Sequence, residues 1–310
     1  MSEPAPVNME DVTPRRVEVG HLRGDWFDLS REAGGVAVGM RRLRIDPGFF
    51  STPLHVHRSD EETFFVLAGS GLSFQDDRSY EVRAGDCIVH RELAEAHTLQ
   101  AGDDGLDVLA FGVSRETGTG AFLPRSQMIW ARPGWVEAAG GKSPFEREGE
   151  LGPPTATHSG ERPASIVNVD EVEPHISERE NHRYAWRSLA KQAGAKRTGL
   201  NHIALEPGQM GAPPHCHASE EELFVVLEGD GTLLLDHEEH AVRPLDVVSR
   251  PAGTGVAHAF TAGEHGLTFL AYGPWLPDEV VYYPRSNKIF FCGVGLMTRV
   301  EKLDYWDGED

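Results

Sequence analysis

Hydrophobic positions along the chain fall in short runs rich in β-branched and aromatic residues, and each run ends at Gly, Pro or Asp. Typical examples are "TFFVLAGSG", "LSFQDD", "YEVRAGDCIVH" and "LDVLAFGV". Short strands separated by regular turn signals predict an antiparallel sandwich or barrel rather than alternating β and α units. Helical periodicity is weak except near "SREAGG" and "SLAKQAG", which predict one or two turns each. The pattern therefore predicts an all-β protein.

The same pattern occurs twice in the chain, at an offset of 160 residues along most of its length. "VNMEDVTP" from Val7 matches "VNVDEVEP" from Val167, and "LRIDPG" from Leu43 matches "IALEPG" from Ile203. Agreement at a fixed offset over so many segments indicates a tandem copy of one domain.

The segment between the two copies has a different composition. It reads "AAGGKSPFEREGELGPPTATHSGERP" and is rich in Gly, Pro and polar residues, which is typical of a linker. We therefore predict an N-terminal domain over residues 1–140, a linker over residues 141–163 and a C-terminal domain over residues 164–310.

Length and charge limit the classes of function. A chain of 310 residues can form two domains that each bury a core. Its net charge of −20 disfavours binding to nucleic acids and to anionic lipids. No apolar run approaches the roughly 20 residues that span a bilayer, and the polar N-terminus has no signal-peptide core, so we expect a cytoplasmic protein. The three cysteines include no close pair, which argues against a disulfide framework and a thiolate zinc site.

Candidate chemistry is concentrated in two related stretches, "PLHVHRSDEETFFVLAG" and "PPHCHASEEELFVVLEG". His55 and His57 lie two residues apart, as do His215 and His217, so on a strand both imidazoles of a pair project from one face. A buried strand has no structural need for two imidazoles followed by a carboxylate. A divalent first-row metal ion is well served by such donors.

Each half also offers a third histidine and a choice of carboxylate. His97 in "LAEAHTL" and His258 in "TGVAHAF" occupy matching places and complete a candidate ligand set. Two adjacent glutamates follow each histidine pair, Glu61 with Glu62 and Glu221 with Glu222, so the residues alone leave the carboxylate ligand open.

These residues resemble the motifs of the cupin superfamily, and the duplication resembles a bicupin. The first family motif is satisfied in both halves, by Gly48, His55, His57, Glu62 and Gly69 and by Gly208, His215, His217, Glu222 and Gly229. The second motif is looser. The C-terminal half has Pro251, Gly253 and His258 but Leu245 where the glycine belongs, and the N-terminal half keeps Gly85 and His97 but has Arg91 and Leu93 in place of proline and glycine.

The resemblance implies two tandem cupin barrels, each a double-stranded β-helix or jelly roll that holds a metal ion inside. The family spacing favours Glu62 and Glu222 as ligands and leaves Glu61 and Glu221 as groups that face solvent or support the ligands. The implied ligand sets are therefore His55, His57, Glu62 and His97, and His215, His217, Glu222 and His258. Four protein ligands on an octahedral ion leave two positions open for substrate, water or dioxygen.

We first expect a dioxygenase-type oxidoreductase that uses Fe(II), or else Mn, Ni or Zn, with up to one ion per domain. Its substrate would be a small metabolite that binds the metal through neighbouring oxygens. One alternative is a decarboxylase, isomerase or hydrolase that uses the same metal without dioxygen. Another is a binding protein without catalysis. As partners we expect a small-molecule substrate, no nucleic acid and no membrane, in a monomer or a homodimer.

Several other residues stand out less clearly. Arg125 and Arg285 recur in two "PRS" segments, as turn-stabilising ion pairs or as substrate clamps. Arg42 and Arg44 share one strand face, which either lines a barrel or faces solvent. His90 and Arg250 occupy matching positions before the second-motif loop and could reach a pocket.

Overall fold

The computed structural model describes residues 5–113, 120–131, 134–137 and 141–309. The N-terminal half contains β1 (Val7–Asn8), β2 (Arg15–Val19), β3 (Leu22–Asp28), α1 (Leu29–Glu32), β4 (Val38–Ile45), β5 (Val56–His57), β6 (Glu62–Gln75), β7 (Arg78–Arg83), β8 (Asp86–His90), β9 (His97–Val113), β10 (Ala121–Leu123), β11 (Met128–Ala131) and β12 (Gly134–Glu137). Then follow α2 (Pro144–Glu150) and β13 (Thr157–His158).

The C-terminal half repeats this order. It contains β14 (Ile166–Asn168), β15 (His175–Arg179), β16 (His182–Ser188), α3 (Leu189–Gln192), β17 (Thr198–Leu205), β18 (Cys216–His217), β19 (Glu222–Leu235), β20 (Glu238–Val242), β21 (Asp246–Arg250), β22 (His258–Pro274), β23 (Val280–Tyr283), β24 (Lys288–Phe291) and β25 (Leu296–Arg299). Short 3-10 helices cover Met9–Asp11, Val169–Glu171, Pro284–Ser286 and Cys292–Val294. The fold is all-β, as predicted, with one barrel in each half.

Each half closes one large and one small sheet around its own core. The large sheets run β13-β7-β6-β9-β4-β3-β2 and β1-β21-β19-β22-β17-β16-β15, and the small ones run β12-β11-β10-β5 and β18-β23-β24-β25. Apolar side chains fill each barrel, and a third apolar cluster joins the two halves. The alternation of apolar residues therefore serves two cores at once, because one face of the central strands lines a barrel and the other packs against the neighbouring domain.

The first strand of each half pairs with the sheet of the other half. β1 pairs with β21, and Val7 lies opposite Val247; β14 pairs with β8, and Val167 lies opposite Cys87. The amide of Asn168 donates to Asp86 Oδ1 at 2.8 Å, and Asn8 makes the matching bond to Asp246. This exchange holds the domains together through main-chain ladders as well as apolar contact.

The segment between the domains packs on the N-terminal barrel. Ser143 caps α2 with a capping box, and β13 pairs in parallel with β7. Residues 138–140, at the predicted border of domain and linker, lie outside the described residues, as do residues 1–4. No helix among the described residues is long and apolar enough to cross a bilayer.

Candidate metal centres

The four N-terminal donor residues meet at one point inside the barrel. His57 ends β5, Glu62 begins β6 and His97 begins β9, while His55 pairs with His97 through an isolated bridge. Oε2 of Glu62 lies 3.1 Å from His57 Nε2, 3.0 Å from His97 Nε2 and 3.7 Å from His55 Nε2. One donor atom from each residue lies within 4.8 Å of every other, which is the separation expected of atoms around a common ion.

The C-terminal donor residues repeat this arrangement. His217 Nε2 and His258 Nε2 each lie 3.0 Å from Glu222 Oε2, and His215 pairs with His258 as His55 does with His97. These buried atoms of His217, His258 and Glu222 are not aligned for hydrogen bonds despite their close approach. The donors are therefore brought together without a bond between them that would explain their positions.

Proton positions around Glu62 explain why a cation fits. His97 Nδ1 lies 3.3 Å from the carbonyl oxygen of Glu95, and a bond there needs the proton on Nδ1. Burial lowers the pKa of His97 well below its usual range, so this imidazole is neutral at pH 7 and has only one N–H. Its single N–H can face either the Glu95 carbonyl oxygen or the Glu62 carboxylate, whose Oε2 lies 3.0 Å from Nε2. With the proton on Nδ1, the lone pair of Nε2 and the Glu62 carboxylate are both available to a bound cation.

The first histidine of each pair is oriented in the same way. His55 Nδ1 lies 2.9 Å from the carbonyl of Pro53, and His215 Nδ1 lies 2.7 Å from that of Pro213. The N–H donated there fixes the tautomer and leaves the lone pair on Nε2, as in metal sites whose histidines are held from behind. Burial and nearby His258 lower the pKa of His215 to about 4, so its ring is neutral at pH 7.

The paired glutamates have separate tasks. The backbone N–H groups of Lys196 and Thr198, in the other domain, donate to the Glu61 carboxylate at 2.8 and 3.1 Å, and Thr198 Oγ1 donates at 2.6 Å. Glu61 is therefore buried between the domains, and the expectation that it faces solvent or supports the ligands is wrong. Glu62 points to the histidines.

Glu221 makes the equivalent contacts from the C-terminal domain. The N–H groups of Val36, Ala37 and Val38 donate to its carboxylate, as does Ser249 Oγ at 3.1 Å. Each donor carboxylate is thus the neighbour in sequence of a carboxylate that binds the opposite domain. In each half, the domain interface and the metal centre therefore use adjacent residues at the start of one strand, β6 or β19.

The second-motif loops of the two halves share one backbone shape despite their different residues. Leu93 has a φ of 52° and Leu245 a φ of 70°, whereas the matching residues of the other half are Gly253 and Gly85, also at positive φ. Leucine is costly in this region of φ, where glycine is free of strain. The loops therefore keep the shape that leads into His97 and His258.

Different residues lie behind the third histidine in the two halves. His90 stacks on His97 with ring centroids 3.9 Å apart, and its Nδ1 lies 2.7 Å from Glu95 Oε1. Burial lowers the pKa of His90 to about 3, so it is a neutral ring that supports His97 rather than a group in a pocket. Arg250 is buried at the matching place.

A cavity of about 530 Å³ leads to the N-terminal centre. His55, His57 and Glu62 form part of its wall, and the rest is mostly apolar, with Trp26 and Phe64. Phe145 of α2 adds to this wall, so the predicted linker contributes to the site. A metal ion with open positions would therefore face a mostly apolar cavity.

Arg41 is the basic residue of that wall, and the sequence analysis missed it. β4 places Arg41 and Leu43 on the barrel face, whereas Arg42 and Arg44 lie on the opposite face. Arg42 is buried there against Asp107, with Nη2 2.7 Å from Oδ2, so the suggested solvated face is wrong for this residue. The alternation with Leu43 and Ile45 was the signal that could have identified Arg41.

Counterparts in the C-terminal half change the surroundings of its centre. Asn201 replaces Arg41, and Tyr283 replaces Leu123 at the 160-residue offset. The Tyr283 ring lies over His215, with centroids 5.7 Å apart. His217 Nδ1 also lies 3.3 Å from the buried carboxylate of Glu279. Against the effect of burial, Glu222 and Glu279 raise the pKa of His217 to about 9.

Arg125 belongs to the packing of the linker. Its Nη1 pairs with the fully buried Glu148 of α2, and its Nη2 donates to the carbonyl oxygen of Gly152 at 2.7 Å. The reading of Arg125 as a structural ion pair is confirmed.

Comparison with known proteins places these features in context. The family described as Cupin domain matches over residues 41–108 and 201–271. An oxalate-binding protein from Thermotoga maritima is 28% identical over 116 residues, covering 34% of this chain and 89% of that protein.

Solved bicupin structures share the fold at low sequence identity. Oxalate decarboxylase from Bacillus subtilis at pH 4.6 superposes with a TM-score of 0.59 at 18% identity, covering 88% of this chain and 76% of that chain. The formate complex of the Lactobacillus farciminis enzyme gives 0.59 at 18% identity, over 88% and 86%. A further Bacillus subtilis structure, from work on its Mn(II) centres, gives 0.58 at 16% identity, over 88% and 77%.

Proposed function

We propose that this bicupin, whose two halves each match the Cupin domain family, is a metal-dependent enzyme that removes a carboxyl group from a small acid without consuming dioxygen. Similarity to an oxalate-binding protein and to oxalate decarboxylases supports a carboxylate as substrate. This was the alternative reading of the sequence.

The first expectation, a dioxygenase with Fe(II), finds no support among these relatives. The solved structures are of decarboxylases, and one of them was determined in work on Mn(II) centres. Imidazole and carboxylate donors suit Mn(II) as well as Fe(II), so the ligand set is compatible with Mn(II). We therefore propose Mn(II) as the ion.

The observation that carries the proposal is the convergence of one donor atom from each of the four N-terminal residues to within 4.8 Å of one another. His55, His57, Glu62 and His97 would hold one ion, and the matching C-terminal residues would hold another. A bound divalent ion would act as a Lewis acid that draws electron density from a substrate oxygen. The single negative charge of each ligand set leaves a net positive centre for an anionic substrate.

The N-terminal centre is the proposed reaction site because it combines the donors with the cavity and Arg41. The Arg41 guanidinium would hold a carboxylate, and the apolar walls would exclude water from the bond that breaks. That bond joins the carboxyl carbon to its neighbour. Carbon dioxide leaves, and the electron pair left on the neighbouring carbon takes up one proton, so no oxidant is consumed.

Asp60 is the proposed residue that takes a proton from water and passes it to this carbon. Its carboxyl group lies in the cavity wall. Burial lowers the pKa of His57, but the charges of Glu62 and Asp60 raise it above its usual value, so Asp60 is electrostatically close to the ligand set. A carboxyl group at that place can reach a substrate held beside His57.

The test uses protein reconstituted with Mn(II) and a panel of carboxyl-labelled acids that includes oxalate. We expect labelled carbon dioxide in both the presence and the absence of air, without net oxygen uptake, and a large loss in Asp60→Asn. Oxygen consumption that matches turnover would overturn the proposal in favour of a dioxygenase. Failure to release carbon dioxide from any acid, with full metal occupancy, would also overturn it.

A binding protein without catalysis is the second candidate, favoured by the similarity to an oxalate-binding protein. It predicts that metal-loaded protein binds a carboxylate tightly and returns it unchanged. Calorimetry combined with the labelled-carbon assay distinguishes the two candidates.

A further inference from the structure

The N-terminal cavity is large for a substrate as small as oxalate. Its volume of about 530 Å³ falls within the range of roughly 300–1,000 Å³ seen for pockets that enclose drug-sized ligands. Oxalate bound at the donors would leave most of that space to water. Oxalate has no apolar surface to cover the apolar walls, whereas a ligand with an apolar part would remove them from water.

The walls of this cavity are aromatic and come from three separate parts of the chain. Trp26 lies on β3, Phe64 on β6 and Phe145 on α2. The rings of Trp26 and Phe145 meet edge to face, with centroids 5.4 Å apart. Arg15 lies over the Trp26 ring at 4.8 Å and helps to hold that ring in place. Such walls suit a ligand with a flat aromatic ring. Contact between aromatic rings adds a specific attraction to the stabilisation gained by burying apolar surface.

Arg41 provides a carboxylate anchor beside these rings. It lines the cavity together with His57 and is exposed there, so its guanidinium is open to a ligand. It makes no ion pair within the described part of the chain, whereas Arg42 and Arg44, its neighbours on the other face, both pair with acidic residues. A guanidinium in a cavity wall without an internal partner is suited to a planar carboxylate from a ligand.

We propose that the N-terminal site takes an aromatic carboxylic acid with an oxygen substituent beside the carboxyl group. This substrate class rests on the proposed function, because the neighbouring oxygen is assigned to the metal. Arg41 binds the carboxylate, Trp26 and Phe64 flank the ring, and Phe145 selects ring-bearing acids over smaller ones. The predicted linker is thus a specificity element of the N-terminal domain.

The test measures binding of salicylate and oxalate to the Mn(II)-loaded protein, by calorimetry and by quenching of tryptophan fluorescence. We expect salicylate to bind at least about ten-fold more tightly than oxalate. Arg41→Gln should weaken salicylate by about ten-fold or more and leave neutral 2-hydroxybenzyl alcohol unchanged. Phe145→Leu should reduce the preference for salicylate over oxalate without weakening oxalate.

Asn201→Ala, at the matching place in the C-terminal half, is the control and should change none of these affinities. Thermal unfolding of each variant separates loss of binding from loss of fold. Tighter binding of oxalate than of salicylate, or equal loss of salicylate and the neutral alcohol in Arg41→Gln, would overturn the substrate class but leave a carboxylate-acting enzyme intact. Failure of both acids to bind would contradict the proposed function itself.

Discussion

The N-terminal and C-terminal centres have the same four donor residues at the same spacing, yet their surroundings differ. The N-terminal centre opens to an aromatic cavity that contains Arg41. The C-terminal centre has Asn201 at that position, a tyrosine ring over His215 and a second carboxylate, Glu279, behind His217. After duplication a ligand set can be kept while its surroundings diverge, so the donors alone do not identify a reaction site.

The largest effect should come from replacing the third histidine of one donor set, His97 or His258, while the other set is kept. We expect His97→Ala to reduce turnover by more than about 100-fold, beyond the effect typical of residues that only support a ligand. His258→Ala should keep most of the activity, because the C-terminal centre lacks the arginine. Steady-state rates of both variants at equal protein concentration provide the check, and equal losses would contradict the difference between the centres.

Replacement of Glu61 or Glu221 should weaken the domain interface rather than the chemistry. Glu61→Ala leaves several backbone N–H groups of residues 196–198 buried without an acceptor, which we expect to cost about 2–3 kcal/mol of unfolding free energy. Glu221→Ala should behave alike, since it binds residues 36–38. Urea denaturation measures both. The exposed Glu173 serves as a control whose alanine variant should change stability by less than about 0.5 kcal/mol.

Glu279 should affect only the C-terminal centre. The buried carboxylate accepts from the backbone N–H groups of residues 218–220 and lies 3.3 Å from His217 Nδ1, so Glu279→Gln should weaken metal binding there by about ten-fold. The N-terminal affinity should stay unchanged. Titration with Mn(II), followed by electron paramagnetic resonance, resolves the two classes of site, and a parallel loss in both would show that Glu279 acts on the whole fold.

The smallest expected effect is a partial conversion of the C-terminal centre. Tyr283→Leu with Asn201→Arg would remove the ring over His215 and supply the missing guanidinium. We expect weak binding of a second carboxylate per chain, seen as a second calorimetric step. If no second step occurs, the difference between the centres lies beyond these two positions.

The donor sets could be predicted from sequence because their chemistry depends on local spacing. A strand places residues two apart on one face, so the H-x-H pairs had to project together. The choice between Glu61 and Glu62 was harder, since adjacent residues alternate and the inward face depends on where the strand begins. The family spacing chose Glu62, and the structure shows why its neighbour is also buried: it binds the other domain.

Features that depend on contact between distant segments could not be predicted. β1 and β14 have nearly the same sequence, so each could pair with either domain, and only the fold shows that they exchange. The domain borders at residues 140 and 163 remain predictions. The exchange of strands crosses them, because β1 and β14 each pair with the sheet of the other half. The contribution of Phe145 to the cavity was equally hidden, because its segment has the composition of a linker.

The most direct test of the central claim is the metal content of three proteins, the wild type, His97→Ala and His258→Ala, after reconstitution with Mn(II) and removal of excess ion. We expect two ions per wild-type chain and one in each variant, with the ion of His258→Ala sufficient for turnover. A wild-type chain that retains no divalent ion, or variants that retain both, would contradict this expectation.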